Sequence, residues 1–233
     1  MQKSIFKNSE SDCWYNRNKK AISEKRPSDD LILREVIDIG EKLNSKKQLT
    51  VLEVGCSNGW RLIELKKKGY SVMGFDPSVA AVEDSHRKNL LDPGELKVAD
   101  AHEFFRTNKL IFDIIIFGHC LYLIDPDNIP DVVAGSYNSL NLGGFIVIFD
   151  FDSSNSRNKY IHKDGVFSYK SHYDKFWTWM PTMRLVKKIV TNHDGSLSEG
   201  NQQESCALSV VRKISQENGY PMFQGDIKIG MKA

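Results

Sequence analysis

The segment Glu53–Gly59, Glu-Val-Gly-Cys-Ser-Asn-Gly, is the part of the chain best suited to holding a ligand. It follows a short apolar run, and its glycines let the backbone approach a ligand because no Cβ atom stands in the way. A dinucleotide site would have the spacing Gly-x-Gly-x-x-Gly, whereas Gly55 and Gly59 have three residues between them. The carboxylate of Glu53 would repel a pyrophosphate but suits a ligand that carries ammonium and sulfonium groups.

Acidic residues also follow the next two predicted strands. Asp76 comes after the apolar run 70–75, and Asp100 comes after the run 95–98. A carboxylate at the end of the second strand can accept hydrogen bonds from both hydroxyls of a ribose. In open α/β sheets, ligands bind outside the carboxyl ends of the strands. We therefore expect Asp76 and Asp100 to lie beside the glycine-containing segment at one ligand site.

Alternating strand and helix patterns predict the elements that position these side chains. The clearest strand is Phe112–Phe117, whose three adjacent isoleucines leave no polar face, as in a central parallel strand that is covered on both sides. The alternation predicts an α/β fold with a doubly wound, mostly parallel seven-stranded sheet. Residues 183–192 and 204–213 are its antiparallel edge pair near the C-terminus, with a turn signal at Asp194-Gly195. The other predicted strands are 51–55, 70–75, 95–98 and 145–149, and the predicted helices are 31–43, 62–68, 78–88 and 130–142.

Composition and charge argue against several classes of protein. The 233 residues are 40% hydrophobic and 27% charged, and the net charge is only +2. This composition is typical of a globular domain, and the small charge gives no indication of nucleic-acid binding. The four dispersed cysteines lack metal-site spacing, and no apolar run reaches the roughly 18 residues of a membrane span. We expect a cytoplasmic protein, monomer or homodimer, with no metal, nucleic acid or membrane as partner.

The ligand segment resembles motif I of the class I S-adenosylmethionine-dependent methyltransferases, commonly Glu/Asp-x-Gly-x-Gly-x-Gly, with Ser57 at the middle glycine. The resemblance covers about residues 30–152 and includes Leu140–Gly144, which is similar to the family's Leu-x-Pro-Gly-Gly turn with Leu142 in place of proline. It implies a methyltransferase domain with S-adenosyl-L-methionine as its cofactor. The cofactor-binding residues it implies are Glu53, Gly55, Cys56, Ser57, Gly59, Asp76, Pro77, Asp100, Ala101, Gly118 and His119.

The loop after the fourth strand supplies the candidate catalytic residues, His119 and Tyr122. In the family this loop lies beside the reactive methyl group. An imidazole titrates near neutral pH, so His119 is a candidate general base. The alternative is that His119 only shapes the cofactor pocket, because methyl transfer depends mainly on positioning.

Residues 167–181 form the densest aromatic cluster of the chain, where the family places substrate-binding insertions. The candidate acceptor-binding residues here are Tyr169, Lys170, His172 and Trp177, with Lys170 or His172 meeting an acidic group of the acceptor. The alternative is a helix that packs on the edge of the sheet through these aromatic residues.

The N-terminal tail is too polar to form a core element, yet it contains Trp14, Tyr15 and Arg17. Residues 11–19 are similar to a segment of methyltransferases that are encoded in bacterial surface-polysaccharide and nucleotide-sugar gene clusters. In related enzymes such tails fold over the cofactor as a lid, and Tyr15 and Arg17 become candidate substrate-binding residues. The alternative is a tail helix that docks through Trp14.

These observations predict the organisation of the chain and its function. We expect an N-terminal lid or tail at 1–27, a class I methyltransferase domain at 28–214 with a substrate-binding insertion at about 152–181, and a C-terminal tail at 215–233. The predicted activity is S-adenosylmethionine-dependent methyl transfer to a small-molecule acceptor, such as a sugar or sugar nucleotide. The alternatives are a cofactor-binding module without turnover and an NAD-dependent oxidoreductase, against which the glycine spacing and Glu53 argue.

Overall fold

The computed structural model describes residues 2–43, 45–193, 196 and 204–221, and its centre is a β-sheet. Seven strands follow the order β3-β2-β1-β4-β5-β8-β7, and β6 pairs with β5 beside this path. The first five strands pair in parallel, whereas β5, β8 and β7 pair antiparallel. The strands are β1 (Thr50–Val54), β2 (Ser71–Asp76), β3 (Leu96–Val98), β4 (Phe112–Gly118), β5 (Leu140–Lys159), β6 (Phe167–His172), β7 (Met183–Asn192) and β8 (Ser205–Lys213). The predicted parallel sheet with an antiparallel edge pair is confirmed, while the turn predicted at Asp194-Gly195 lies outside the described residues.

The helices connect these strands and precede the first of them. They are α1 (Gln2–Ile5), α2 (Ser11–Ser23), α3 (Leu31–Leu43), α4 (Trp60–Lys67), α5 (Val79–Arg87), α6 (Ala101–Thr107), α7 (Ile129–Asn138), α8 (Lys175–Thr178) and α9 (Gln216–Gly219). Each helix in the described ranges falls short of the length and apolar character that a membrane span requires. Helix α7 ends at Asn138, four residues earlier than predicted, because Leu140 already pairs with Phe112 at the start of the sheet.

Strand β4 lies at the centre of the core. The side chains of Ile114, Ile115, Ile116 and Phe117 have no exposed surface, which confirms the prediction of a strand covered on both sides. The indole ring of Trp177 packs against Phe117 at a centroid distance of 5.1 Å. At about 25 cal/mol per Å² of apolar surface, burial of such side chains is the main favourable term in folding.

Strand β6 is an element that the sequence pattern did not predict. Strand β5 continues beyond its pairing with β8 and then pairs with β6, from Asp152 opposite His172 to Lys159 opposite Phe167. Residues 153–159 are polar throughout, so they carry no alternation that would indicate a strand. We call residues 152–172 the β5–β6 hairpin.

The N-terminal tail forms helices that pack on α5, in contrast to the expectation that it contributes no core element. Tyr15 is 3% exposed and joins Ile22 and Ala81 in a small apolar cluster. The hydroxyl group of Tyr15 donates to Asp84 at 2.8 Å, so burial leaves this polar atom with a partner. Tyr15 and its hydrogen bond are therefore one anchor of a tail that has few apolar residues.

Helix α7 approaches α6 so closely that only glycine fits at one position. A Cβ atom on Gly135 would lie 2.3 Å from Cβ of Phe105, whereas one on Gly94 would have no atom within 4 Å. We predict that Gly135→Ala lowers the free energy of unfolding by about 1–3 kcal/mol, because Phe105 Cβ cannot move without its backbone. Gly94→Ala is the control and should change it by less than about 0.5 kcal/mol. Urea denaturation measures both, and equal stability of the two variants would show that the helices separate without cost.

Candidate functional site

A cleft lies at the carboxyl ends of the parallel strands and consists of two adjoining pockets. The tail-side pocket is bordered by the N-terminal tail and the ends of β1, β2 and β4, and the hairpin-side pocket is bordered by the β5–β6 hairpin. Trp14, Gly55, His119 and Tyr122 line both pockets, so the two pockets adjoin at these residues. Other residues of the tail-side pocket are Phe6, Asp76, Pro77, Asp100, Ala101 and Cys120, and others of the hairpin-side pocket are Cys56, Ser57, Arg61, Gly118, Phe151, Tyr160, Lys170 and His193.

The glycine-containing loop between β1 and α4 takes a conformation that its glycines allow. Gly55 and Gly59 have φ angles of +65° and +72°, in the left-handed region. Ser57 also has a positive φ, +56°, which costs a non-glycine residue about 1–2 kcal/mol. Its N–H donates to Asp76 at 2.7 Å and holds this conformation. The side-chain oxygens of Ser57 and Asn58 are buried without a hydrogen-bond partner in the protein, which is uncommon and marks this loop as a candidate binding loop.

Asp76 is the acidic residue that joins this loop to the next strand. Its carboxylate accepts hydrogen bonds from the N–H of Ser57 at 2.7 Å and from that of Ser78 at 2.8 Å. Burial raises the pKa of Asp76 to about 6, although these two bonds act in the opposite direction. A carboxylate has about four acceptor positions, so both oxygens can still accept hydroxyl groups of a ligand.

Asp100 begins helix α6 at the far end of the tail-side pocket. One of its oxygens accepts the N–H of Glu103 at 3.0 Å, as an N-cap does. The Nζ atom of Lys3 lies 3.2 Å from the carboxylate of Asp100, and that of Lys7 lies 3.7 Å from it. The N-terminal tail therefore contacts this residue. The structure therefore brings Asp76 and Asp100 together with their neighbours Pro77 and Ala101, as the strand-end pattern predicts.

Glu53 has a partner that the sequence analysis did not identify. It is 1% exposed and accepts a hydrogen bond from Arg61 at 2.8 Å, and Arg61 also contacts Asp30 at 3.1 Å. Burial raises the pKa of Glu53 to about 7 in spite of the guanidinium group. Glu53 borders neither pocket, and it is Arg61 that lines the hairpin-side pocket. The sequence did contain an indication of this ion pair. Arg61 lies between Trp60 and Leu62 at the start of a helix that packs on the sheet, and a buried cation requires an acidic partner.

His119 stands where the two pockets meet. Its backbone has a φ of +56°, and its Nδ1 atom is buried with no hydrogen-bond partner. Burial lowers the pKa of His119 to about 3, and the nearby His193, whose ring centre is 4.9 Å away, contributes to this. The imidazole is therefore neutral at pH 7 and a weak base, which favours a positioning role. Burial raises the pKa of Tyr122, so its phenol stays protonated.

Asp150 is a buried acid that sequence reasoning missed. It is 1% exposed at the end of the parallel part of β5 and accepts the N–H of Leu121 at 2.9 Å and that of Phe151 at 2.8 Å. Burial raises its pKa to about 7. These bonds fix the loop that carries His119 and Tyr122. The signal was present in the sequence, since Asp150 follows a fully apolar run just as Asp76 does.

The predicted acceptor-binding residues separate in the structure. Lys170 lines the hairpin-side pocket, but Trp177 is fully buried in the core, where its indole N–H donates to Ser136 at 2.9 Å. His172 bonds Asp152 at 2.7 Å. The remaining ones are Tyr169, whose ring is contacted by Arg157, Tyr15, which packs on α5, and Arg17, which pairs with the buried Glu10. Of these six, only Lys170 borders the cleft.

Comparison of the sequence with models of known protein families identifies the family of this chain. Residues 22–187 match the family model described as a methyltransferase domain, which spans well over half of the chain. The chain therefore belongs to this family, and it is a class I methyltransferase whose cofactor is S-adenosylmethionine. The matched range includes the glycine-containing loop, both acidic strand ends and the β5–β6 hairpin. No curated protein sequence matches the chain.

Solved structures show the same fold at low sequence identity. N-methyltransferase NodS from Bradyrhizobium japonicum WM9, in complex with S-adenosyl-L-homocysteine, has a TM-score of 0.56 at 18% identity over 86% of this chain and 98% of its own. The 1,6-didemethyltoxoflavin-N1-methyltransferase from Burkholderia thailandensis has a TM-score of 0.57 at 16% identity over 81% of this chain and 80% of its own. A methyltransferase from Listeria monocytogenes has a TM-score of 0.57 at 15% identity over 72% and 92%.

The raised pKa of Asp76 predicts a pH dependence of cofactor binding. The ionised carboxylate is the form that accepts ribose hydroxyls, so the affinity for S-adenosylhomocysteine should fall as the pH drops below about 6. Between pH 7 and pH 5 the expected loss is about tenfold, because the free protein then holds a proton that binding must displace. Isothermal titration calorimetry of the wild type and of Asp76→Asn measures it. The variant should bind about 1.5–3 kcal/mol more weakly at pH 7 and lose this part of the pH dependence, whereas parallel curves would exclude Asp76 from the contact.

Proposed function

We propose that the tail-side pocket binds the adenosyl part of S-adenosylmethionine and that the hairpin-side pocket receives a small-molecule methyl acceptor. The supporting observation is that the two pockets adjoin at Gly55 and His119, which follow the carboxyl ends of β1 and β4. Donor and acceptor would then meet at this boundary. A sugar or sugar nucleotide is the acceptor that we propose from the similarity of the N-terminal tail.

The polar atoms of the cleft fit this cofactor. Asp76 offers acceptor oxygens to ribose hydroxyls, and Asp100 offers them to the amino group of adenine. Phe75 and Ala101 supply apolar surface beside them. The buried Ser57 Oγ and His119 Nδ1 atoms lack partners in the protein and face the loops where the methionine part would lie. When bound, the cofactor supplies a methyl group on a positively charged sulfur.

The residues around the boundary are suited to positioning and to excluding water. Phe151 contacts Tyr122 at a ring-centre distance of 5.3 Å and His193 at 5.7 Å, and His119 contacts Phe149 at 4.7 Å. Alignment of the methyl donor and the acceptor supplies most of the rate acceleration that methyl transfer requires. The low pKa of His119 means that this wall orients the acceptor and does not act as a strong base.

We propose further that the N-terminal tail is the lid of this site. It bridges the two sides of the cleft, because Lys3 reaches Asp100 on α6 and the side chain of Gln2 bonds both backbone groups of Phe167 in the hairpin, at 2.8 and 2.9 Å. Trp14 then lines both pockets from the tail. A ligand that enters the tail-side pocket would require these contacts to open. Closure of this kind excludes water from the reacting groups.

Four other features of the sequence-based account stay untested. A cofactor-binding module without turnover differs from an enzyme only in the rate of transfer, so an activity assay with candidate acceptors separates them. The cytoplasmic setting, the absence of a nucleic-acid partner and a monomeric or homodimeric state are likewise proposed from the sequence alone.

Cofactor choice is the first experimental test of the proposed function. Calorimetry should show that S-adenosylmethionine and S-adenosylhomocysteine bind and that NAD does not, because the loop lacks the close glycine spacing for a pyrophosphate and the carboxylate of Asp76 suits ribose hydroxyls. Tight binding of NAD without binding of S-adenosylhomocysteine would contradict the assignment of this cleft.

The lid predicts a local change of hydrogen exchange on cofactor binding. Amides of residues 11–19 should become more protected when S-adenosylhomocysteine binds, because opening of the tail then requires loss of the ligand. Helix α7, which lines neither pocket, is the internal control and should exchange equally in both states. Equal protection of residues 11–19 with and without ligand would make the tail a fixed structural element.

A further inference from the structure

Arg61 is a buried cation whose hydrogen-bonding capacity is only partly used. Its side chain is 9% exposed, and it donates from Nε to Asp30 at 3.1 Å and from Nη1 to Glu53 at 2.8 Å. These bonds use two of the five N–H donors of a guanidinium group. The Nη2 atom has no acceptor among the residues that the structure describes. Arg61 lines the hairpin-side pocket, whereas Asp30 and Glu53 border neither pocket, so the unused donors are left for a ligand.

The wall around Arg61 has other polar atoms without partners. The hydroxyl oxygen of Ser57 and the Nδ1 atom of His119 are buried and lack a hydrogen-bond partner in the described part of the protein, and both residues line the same pocket. Strand β4 ends beside them at Gly118, where a Cβ atom would lie 3.2 Å from Nη1 of Arg61 and would crowd the guanidinium group. Unpaired polar atoms of this kind indicate a polar ligand.

Lys25 is a second cation on this wall. Its Nζ atom lies 5.1 Å from the centre of the Trp60 ring, and Cζ of Arg61 lies 4.7 Å from the centre of the same ring. Lys25 is an exposed residue, and no carboxylate lies within ion-pair distance of it among the described residues. Burial of the ammonium group lowers the pKa of Lys25, and the charge of Arg61 lowers it further. An anion beside the two cations would relieve their repulsion.

Both cations act near the boundary of the two pockets. Besides burial, the charges of His193, Arg61 and Lys25 lower the pKa of His119, which lines both pockets. Gly55 also lines both pockets. A cofactor whose adenosyl part occupies the tail-side pocket would therefore extend past Gly55 into the part of the hairpin-side pocket that Arg61 lines.

We infer that Arg61 and Lys25 bind the carboxylate of the methionine part of S-adenosylmethionine. This inference rests on the proposed function and assigns the charged end of the cofactor to two residues of this chain. A guanidinium group suits a carboxylate, because its planar fork can donate two parallel N–H···O bonds. Asp30 and Glu53 are positioning residues in this assignment, since they hold Arg61 without bordering the pocket.

Binding of two ligands that differ only in the carboxylate tests the inference. The full-length protein is titrated calorimetrically with S-adenosylhomocysteine and with decarboxylated S-adenosylhomocysteine, which keeps the adenosyl group and the amine. The wild type should bind the first at least about tenfold more tightly, the scale for hydrogen bonds to a charged group. In Arg61→Gln and in Lys25→Met this ratio should fall by at least about threefold, because only the first ligand loses a contact. A purely structural role of Arg61 would weaken both ligands alike and leave the ratio unchanged.

Lys67→Gln and Lys20→Met are the matched controls. Lys67 lies on α4 like Arg61 and has a side chain that is 65% exposed, and Lys20 lies on the tail before Lys25 and has one that is 87% exposed. Neither residue lines a pocket. Both variants should keep the wild-type ratio within about twofold, because exposed charges contribute little.

Equal affinity of the wild type for the two ligands, or an unchanged ratio in Arg61→Gln, would overturn the inference. If Arg61→Gln does not fold, because Glu53 then loses its partner, the comparison of Lys25→Met with Lys20→Met decides, and equal ratios in these two would overturn it. Failure of S-adenosylhomocysteine to bind the wild type would overturn the proposed function, and the inference with it.

Discussion

Two carboxylates at the ends of parallel strands, that of the partly buried Asp76 and that of the buried Asp150, hold the loops that border the cleft. Removal of a carboxylate from water is costly, and here the cost is visible as a pKa of about 6 for Asp76 and about 7 for Asp150. Each of them offsets it by accepting two backbone N–H groups from the adjoining loops. The loops that present Ser57 and His119 in left-handed conformations are therefore fixed by these acids. A change at either carboxylate would therefore act on the loop that it holds.

Those parts of the fold that depend on local patterns could be predicted from the sequence. The isoleucine run of β4 indicates a central strand, because a strand without a polar face must be covered on both sides. The positions of Asp76 and Asp100 follow from the same logic, since short loops after parallel strands bring their first residues to one edge of the sheet. The tail-side pocket is built from such loops, which explains why Asp76 and Asp100 both border it, although Ser57 lines the other pocket.

The hairpin-side pocket depends on contacts between distant segments, and the sequence indicated it less well. Aromatic density around Trp177 supported both an acceptor pocket and a helix packed on the edge of the sheet, and the burial of Trp177 places this residue in the core. Strand β6 exists because its backbone pairs with a polar extension of β5, a feature without a hydrophobic signal. Likewise, the partner of Arg17 is Glu10 on the same tail, and that of Glu53 is Arg61. The Glu53–Arg61 pair requires β1 and α4 to pack together, whereas Glu10 and Arg17 are only seven residues apart within the helical tail.

The central claim is that the acidic strand ends and the N-terminal tail enclose one adenosyl site. A crystal structure with S-adenosylhomocysteine tests it most directly. The account predicts ribose hydroxyls within hydrogen-bond distance of Asp76, adenine beside Asp100 and Ala101, and Trp14 in contact with the ligand. Density for the ligand elsewhere, or a ribose that contacts neither carboxylate, would contradict it.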